Sequence, residues 1–346
     1  TSKTSYNGNY GLNASWTIYN GSKRLNTIKQ EKLNNQAANL DVETSENSIQ
    51  ESIAQIYIQI LYAAESVKVN ENTLQVSIAQ RDRGQELLNA GSIAKSDLAQ
   101  LEAQVSTDRY QLVTAQATLQ DYKLQLKQLL ELDGENEMNI YLPALSDENV
   151  LAPLPTKKDV YIRALSLRPE IEASKLNVEA SELGIGIAKS SYLPTISLSA
   201  GIGTNHTSGS DFTFGEQVKN GWNNSIGLSV SVPIFNNRQT KSAVQKAKLQ
   251  YETSMLSLLD EQKTLYKTIE GLWLDANSAQ QRYAAANEKL KSTQISYELI
   301  SEQFNLGMKN TIELLTEKNN LLQAQQEQLQ AKYMAILNMQ LLKFYQ

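Results

Sequence analysis

The chain contains no cysteine, which excludes disulfides, thiolate metal sites and cysteine nucleophiles. It is also poor in proline, with 6 in 346 residues, and in aromatic residues, which make up 7% of the chain. Long stretches are rich in Gln, Asn, Ala, Leu, Ser, Glu and Lys, a composition typical of long, partly solvated helices rather than of an ordinary globular core. The net charge of -5 comes without a cluster of Lys and Arg, so we expect no nucleic-acid partner.

No apolar run reaches 18 residues, so we expect no transmembrane helix, and the chain is either soluble or crosses a membrane as β-strands. Three segments alternate apolar residues with small or polar ones, at positions 10–18, 196–203 and 225–232. A period of two gives each predicted strand one apolar face. The length of roughly 8–10 residues suits a tilted strand across a bilayer, although an ordinary half-buried sheet has the same alternation.

Aromatic residues cluster at the ends of these three segments. This clustering favours the membrane interpretation, because Trp and Tyr concentrate at the two interfaces of a bilayer. The candidate aromatic belt consists of Tyr10, Trp16, Tyr19, Tyr192, Trp222 and Phe235.

Elsewhere, apolar residues recur every seven positions, as at Leu258, Leu265 and Leu272. A sustained period of 3.5 residues is the signature of coiled coils. No proline occurs from position 22 to 142, or after position 233. These stretches therefore predict long helices that pack side by side.

The pattern predicts two especially long helices, at about 22–89 and about 237–305, each on the order of 100 Å in length. Helices of this length do not fit within one compact domain. Each is followed by a short turn that contains a glycine, Gly91 in the first case and Gly307 in the second. Because glycine ends a helix by adopting a left-handed conformation, the sequence predicts two long helical hairpins.

The two halves of the chain match at one constant offset. Gly11 matches Gly227 and Gly91 matches Gly307, since 227 − 11 and 307 − 91 both equal 216. An offset shared from a strand, through a long helix, to a turn indicates an internal repeat.

The repeat divides the chain into three predicted parts. Residues 1–131 form a first repeat, a strand followed by a long helical hairpin, and residues 168–346 form a second repeat with a helix, two strands and a hairpin. Residues 132–167, which contain three of the prolines, are predicted to be an irregular connector. By comparison with the second repeat, the first lacks its opening helix and strand, and we expect about 45 residues before Thr1.

Two strand-to-helix segments and two turn segments occur in matching order in the two repeats. They are SWTIYNG at 15–21, SVPIFNN at 231–237, AGSIAKSD at 90–97 and LGMKNTIE at 306–313. With these segments the sequence resembles the TolC family of outer-membrane efflux proteins over essentially the whole chain. The first strand-to-helix segment departs from the second at Thr17, where the second has Pro233.

The resemblance implies a mainly α fold with a small β part, in which internally duplicated long helical hairpins join a transmembrane β-barrel shared by three protomers. The homotrimer would lie in the outer membrane of a Gram-negative-type bacterium, surrounded by lipid, with its helical tunnel in the periplasm. The implied function is a passive exit duct of a tripartite efflux or secretion system, with a periplasmic adaptor and an inner-membrane pump as partners. The alternative is a structural or adhesive trimeric coiled-coil stalk with a membrane anchor, which has no need of two matched hairpins.

The candidate gate consists of acidic residues just past the tips of the hairpins. In the family, acids at this place on the inner helices ring the periplasmic entrance, and the resemblance matches this place to Glu313. Asp97 occupies the equivalent place in the first repeat, and Thr316, one turn past Glu313, stands where the family pattern has room for a second acid. Like charges that converge on an axis repel unless they are protonated, paired or bridged by a cation. The alternative for Glu313 is a capping box with Asn310, and the alternative for Asp97 is a solvated acid.

The turns themselves are the candidate docking site for the adaptor. This site consists of Ala90, Gly91, Ser92, Ile93, Leu306, Gly307, Met308 and Lys309. Ile93 and Met308 are apolar where solvent is expected, which is typical of a partner surface. Simple turn chemistry is the alternative explanation of these residues.

No residue pattern predicts catalysis. The single histidine, His206, lies in a segment rich in Gly and Ser, so we expect it to be an exposed loop residue rather than a metal ligand or a catalytic base. We therefore expect no enzymatic activity, no cofactor and no metal.

Overall fold

The computed structural model describes residues 4–132, 140–141 and 150–346. In this part of the chain most residues are helical, and three strands form one small sheet, which confirms the predicted mainly α class with a small β part. The elements in chain order are β1 (Asn7–Asn20), α1 (Lys23–Asn89), α2 (Lys95–Leu129), α3 (Lys157–Leu167), α4 (Pro169–Lys189), a 3-10 turn (Ser190–Tyr192), β2 (Thr195–Thr207), α5 (Phe214–Asn220), β3 (Asn223–Ser231), α6 (Gln239–Asn305) and α7 (Thr311–Lys343).

By its internal contacts the chain divides into two units. The sheet unit consists of Thr1–Val42 and Pro169–Glu261, and the helical unit consists of Glu43–Arg168 and Gln262–Gln346. Each unit draws on both halves of the sequence. Of the helices in the described ranges, none combines the length with the apolarity that a membrane crossing requires.

The sheet is antiparallel in the order β1-β2-β3, and its register aligns the apolar positions of the three strands. Trp16 lies opposite Leu198, which in turn lies opposite Leu228. The adjacent position pairs Ser199 with Gly227 on the other face. The alternation predicted from the sequence is thus present in all three strands.

Within the described residues, much of the apolar face of the sheet is left uncovered. Leu12, Ile226 and Leu228 are 72%, 85% and 67% exposed. An ordinary half-buried sheet packs such a face against its own core. The apolar face is therefore available for lipid or for another chain.

The two junctions between strand and long helix have the same backbone geometry. The left-handed region is occupied by Gly21 and Ser22 at the first junction, and by Asn237 and Arg238 at the second. These pairs are 216 positions apart, since 237 − 21 and 238 − 22 both equal 216. At Gly21 the neighbouring chain is also close, because a β-carbon there would lie 2.7 Å from the carbonyl oxygen of Ser190.

The long helices of the two halves have equal length. Helices α1 and α6 each contain 67 residues, and their first residues are 239 − 23 = 216 positions apart. Helices α2 and α7 begin at the same offset, 311 − 95 = 216. The predicted long helices at 22–89 and 237–305 begin one or two residues later than expected and end where expected. The repeat boundaries themselves stay a prediction.

The predicted irregular connector at 132–167 is wrong in its last part, where helix α3 forms. The side chain of Thr156 caps this helix by accepting a hydrogen bond from the backbone N–H of Asp159 at 3.3 Å. Val160 and Ala164, four residues apart, are both buried on one face of the helix. The cap and the short apolar face stabilise this helix although Pro153 and Pro155 lie just before it. The other signals for an irregular connector, Asp133, Gly134 and Pro143, lie outside the described residues.

The segment rich in Gly and Ser that contains His206, at positions 203–222, is predicted to be a loop, but it also contains regular structure. Strand β2 continues to Thr207, and Thr213 begins helix α5 with a capping box to Glu216. The cap explains this short helix in a stretch rich in Gly and Ser.

Candidate gate and docking site at the hairpin tips

Both long helices end in the same glycine turn. Gly91 and Gly307 have φ values of +74° and +73°. At the second turn the N–H of Gly307 donates to the carbonyl of Phe304 at 2.9 Å, and the N–H of Met308 donates to the carbonyl of Gln303 at 2.8 Å. The first turn repeats these two bonds at 2.9 and 2.8 Å. This is the geometry that ends a helix through a left-handed residue.

Helix α7 begins with a capping box at Glu313. The N–H of Glu313 donates to the side chain of Asn310 at 2.9 Å, and the N–H of Asn310 donates to the Glu313 carboxylate at 3.2 Å. Glu313 therefore forms the capping box with Asn310 that the sequence offered as one explanation of this residue. This contact leaves its second carboxylate oxygen for another partner.

That second oxygen accepts a hydrogen bond from Lys309 at 2.5 Å. The Lys309 hydrogen bond and the backbone N–H of Asn310 lower the pKa of the Glu313 carboxyl. The contacts of the ionised form therefore stabilise the tip at neutral pH, and this stabilisation is lost as the pH falls through the lowered pKa. Both side chains are partly exposed, so the pair is screened by salt.

Asp97 also caps its helix, which corrects the expectation of a merely solvated acid. Its carboxylate accepts a hydrogen bond from the N–H of Ala94 at 3.0 Å. Ala94 has no side-chain oxygen to complete the box, so the two tips differ here. Thr316 is exposed and its hydroxyl donates to the carbonyl of Ile312 in the preceding turn at 2.8 Å. A gate role for these residues stays a prediction.

The apolar surface of the tips is on the second hairpin. Leu306, Met308 and Ile312 are 75%, 70% and 62% exposed. Ile93 is half-buried, and its side chain lies close to Gly84 of α1. Of the two apolar tip residues predicted to be exposed, only Met308 is. Docking of an adaptor here stays a prediction.

The candidate belt residues are all exposed, from 41% at Tyr19 to 84% at Phe235. They fall at two ends of the sheet. Tyr10 lies opposite Thr204 near one end, where its ring meets the edge of Phe214, whereas Tyr19 lies opposite Ile196 at the other end. This placement is compatible with two interfacial rows, and the belt stays a prediction.

His206 lies on strand β2 rather than in a loop, and it is half-buried. Its ring packs edge-on against Phe214, with the ring centroids 5.0 Å apart. The expectation of an exposed loop histidine is therefore wrong, because the strand continues further than the alternation indicated. Across the described ranges, no three His, Cys, Asp or Glu side chains come together in a way that could hold a metal ion.

Sequence reasoning missed a buried charge cluster in the helical unit. Lys318 of α7 forms an ion pair with Asp108 of α2, and both also contact the hydroxyl of Ser77 of α1. Burial lowers the pKa of Lys318, and the contact with Asp108 opposes that shift. The sequence does contain a signal for this cluster, because Asp108 and Lys318 are charged residues at positions where the helical pattern favours apolar ones.

The turn glycines generate a prediction about stability. Gly307→Ala should lower the free energy of unfolding by about 1–2 kcal/mol, because a β-carbon is unfavourable in the left-handed region. Space plays no part, since nothing lies within 4 Å of the added carbon. The measurement is denaturant unfolding of the purified protein in detergent, followed by circular dichroism.

Gly271→Ala is the matched control. Gly271 lies inside helix α6, also with nothing within 4 Å of an added β-carbon, so the change should raise stability by about 0.5–1 kcal/mol. Equal effects of the two substitutions would contradict the left-handed turn.

Comparison with known proteins gives a consistent result. The family model described as "Outer membrane efflux protein" matches residues 1–131 and 160–343. The outer membrane efflux protein BepC of Brucella suis biovar 1 (strain 1330) is 23% identical over 329 residues, which are 94% of this chain and 69% of that protein. The outer membrane protein TolC of Escherichia coli (strain K12) is 23% identical over 305 residues, 86% of this chain and 60% of that protein.

Solved structures agree in fold. A crystal structure of CusC superposes with a TM-score of 0.82 at 18% identity, covering 97% of this chain and 80% of that one. The outer membrane protein VceC of Vibrio cholerae superposes with a TM-score of 0.80 at 15% identity, covering 99% of this chain and 87% of that one. The predicted mainly α class, with long helical hairpins and a small β part, is confirmed by these neighbours. Since its family model matches most of the sequence, the chain belongs to the outer membrane efflux protein family.

Proposed function

We propose that the chain is one protomer of a homotrimeric exit duct that works with a periplasmic adaptor and, through it, with an inner-membrane pump. As a member of its family the chain is an outer-membrane efflux channel with its helical part in the periplasm. The family and its solved relatives support the duct and not the stalk considered as an alternative. A channel of this kind is a conduit and needs no catalytic site.

The observation that carries the trimer proposal is the three-stranded sheet. In the described part of the chain, β1 and β3 each pair with β2 alone, so each has one free edge. Lipid does not tolerate free edges, because it cannot satisfy the backbone N–H and C=O groups. Copies of the same chain, related by rotation, would pair these edges and close a barrel.

The gate proposal rests on the charge at the second tip. In a trimer, three copies of Glu313 would converge on the axis if α7 lines the entrance. The hydrogen bonds from Lys309 and Asn310 lower the pKa of Glu313, so its carboxylate is ionised at neutral pH. A ring of such carboxylates would favour cations and be blocked by multivalent ones.

Glu313→Gln tests the gate. Gln retains the helix cap, because it can accept from the N–H of Asn310, so the change removes charge with little loss of structure. Block of single-channel current by a multivalent cation in planar bilayers should weaken, and the preference for cations should fall.

Glu252→Gln is the control, since it removes the same charge from an exposed position on α6 far along the chain from the tip. If Glu313→Gln and Glu252→Gln both gave channels indistinguishable from the original, this result would contradict a gate role for Glu313.

The docking proposal rests on the exposed apolar tip of the second hairpin. Three exposed apolar residues, Leu306, Met308 and Ile312, lie within seven positions at one turn, which is typical of a surface that meets a partner protein. Lys309 is paired with Glu313 beside this surface, so a partner would meet an apolar patch with a polar margin.

A photo-crosslinking residue at Ser92 or Lys309 should capture a co-expressed periplasmic adaptor, whereas the same residue at Ser257, exposed in the first third of α6, should not. The measurement is the yield of the covalent adduct on denaturing gels. Equal yields at tip and control positions, or none in an assembled pump, would remove the tips as the docking site.

A further inference from the structure

Among the described residues, the buried polar side chains include only two charged ones, Asp108 and Lys318, which are 1% and 3% exposed. They form an ion pair with each other. Lys318 also donates to the hydroxyl of Ser77, and that hydroxyl donates to the same carboxylate oxygen of Asp108. The cluster therefore joins α1, α2 and α7, and with them both hairpins.

The hydrogen bonding around the cluster is nearly complete. The second carboxylate oxygen of Asp108 accepts a hydrogen bond from Gln104 at 2.9 Å, and the same Gln104 amide reaches Asn319 of α7 at 3.4 Å. A buried ion pair is tolerated when additional hydrogen bonds satisfy both groups in this way. The arrangement is a built contact between helices rather than an accidental approach of two side chains.

Asp108 and Lys318 belong to regularly spaced series of buried residues on α2 and α7. On α2 a buried series with spacings of 3, 4 and 3 residues ends at Asp108, and on α7 a series with the same spacings includes Lys318. These series are Leu98, Leu101, Val105 and Asp108 on α2, and Thr311, Leu314, Lys318 and Leu321 on α7. The charges therefore occupy positions where packing alone favours Leu or Val.

Stability does not explain charges at such positions, because apolar residues of similar volume are often as good or better than a buried ion pair. Specificity does explain them. In a seam of repeated leucines, one helix can slide past another and still find apolar partners, whereas a single polar residue in the seam fixes the register. Ser77 belongs to a row of small or polar residues on α1 that continues at Asn70 and Gly84, seven positions away on either side.

We propose that Lys318 and Asp108, with Ser77, are positioning residues that fix the axial register of α7 against α1 and α2. The inference rests on the proposed function in one respect, because the register sets the height of Glu313 relative to Asp97. Glu313 is five residues from Lys318 and Asp97 is eleven from Asp108, or about 8 Å and 16 Å along their helices. Because the turns at Gly91 and Gly307 are short, the register of the helices also determines the positions of the hairpin tips.

The absence of cysteine allows spin labels to be attached at chosen sites. Ser106 on α2 and Asn320 on α7 are exposed and lie close to the cluster in sequence. With Ser106→Cys and Asn320→Cys in protomers diluted by unlabelled chain, pulsed electron resonance measures the distance between the two helices. The original pair should give one narrow distance distribution.

The decisive variant replaces the pair by apolar residues, Lys318→Met with Asp108→Leu. It should keep its thermal midpoint to within a few degrees, yet show a broadened distribution or a second distance displaced by about one helical turn, near 5 Å. The reversed pair, Lys318→Asp with Asp108→Lys, should return the distribution to a single narrow peak.

The matched control is the exposed ion pair between Lys289 of α6 and Glu327 of α7. Its replacement by Met and Leu should leave the distribution unchanged, because an exposed pair does not set register. A narrow, unshifted distribution for the apolar replacement of Lys318 and Asp108 would overturn the inference. Should that variant fail to fold, the reversed pair decides, and a broadened distribution there would overturn it.

The distance measurement does not depend on conduction. If the original protein formed no channel, the proposed function would fail while the distances would still decide the register. If it formed a channel and the apolar replacement kept the original distance, the proposed function would stand and the positioning role would fail.

Discussion

The three-stranded sheet imposes the main constraint on this protein, because both of its outer strands have an unpaired edge among the described residues. Within the described residues one edge of β1 and one edge of β3 have no strand beside them, and the apolar positions aligned by the register are exposed. Backbone groups at a free edge must be paired where water is absent. The requirement for partner strands therefore follows from hydrogen bonding, and an assembly of identical chains meets it with a single type of interface.

The helical unit contains two kinds of charge contact, one partly exposed and one buried. Lys309 and Glu313 form a partly exposed pair at the tip, and water and salt weaken the attraction between them. Lys318 and Asp108 form a buried pair, and Lys318 lies five residues beyond Glu313 on α7. Separating two buried charges is costly, because each would be left without a partner. The first pair suits a surface that meets solutes, and the second suits a joint between helices.

The sequence predicts much of this fold because the relevant signals are local or periodic. The period of 3.5, the absence of proline and the two turn glycines place α1 and α6 to within two residues. The offset of 216 predicts which residues are equivalent, and the left-handed pairs at Gly21 and Asn237 occur at that offset. Helices α3 and α5 were missed because each depends on a cap, at Thr156 and Thr213, within short segments of low periodicity.

The candidate site is less accessible to sequence reasoning. The capping contact of Glu313 follows from its spacing to Asn310, but its pairing with Lys309 depends on side-chain rotamers that spacing does not determine. The half-burial of Ile93 depends on how the turn packs near Gly84 of α1, which spacing along the sequence does not determine. The partnership of Lys318, Asp108 and Ser77 joins residues as far as 241 positions apart, and it becomes visible only when three helices are packed together.

The central claim is that copies of this chain close around a channel. Electron microscopy of the full chain, purified in detergent, tests it most directly, because averaged end-on views resolve both the number of subunits and the presence of a lumen. The account predicts threefold particles with an open central tunnel. Single protomers, or threefold particles with a solid core like that of a coiled-coil stalk, would contradict it.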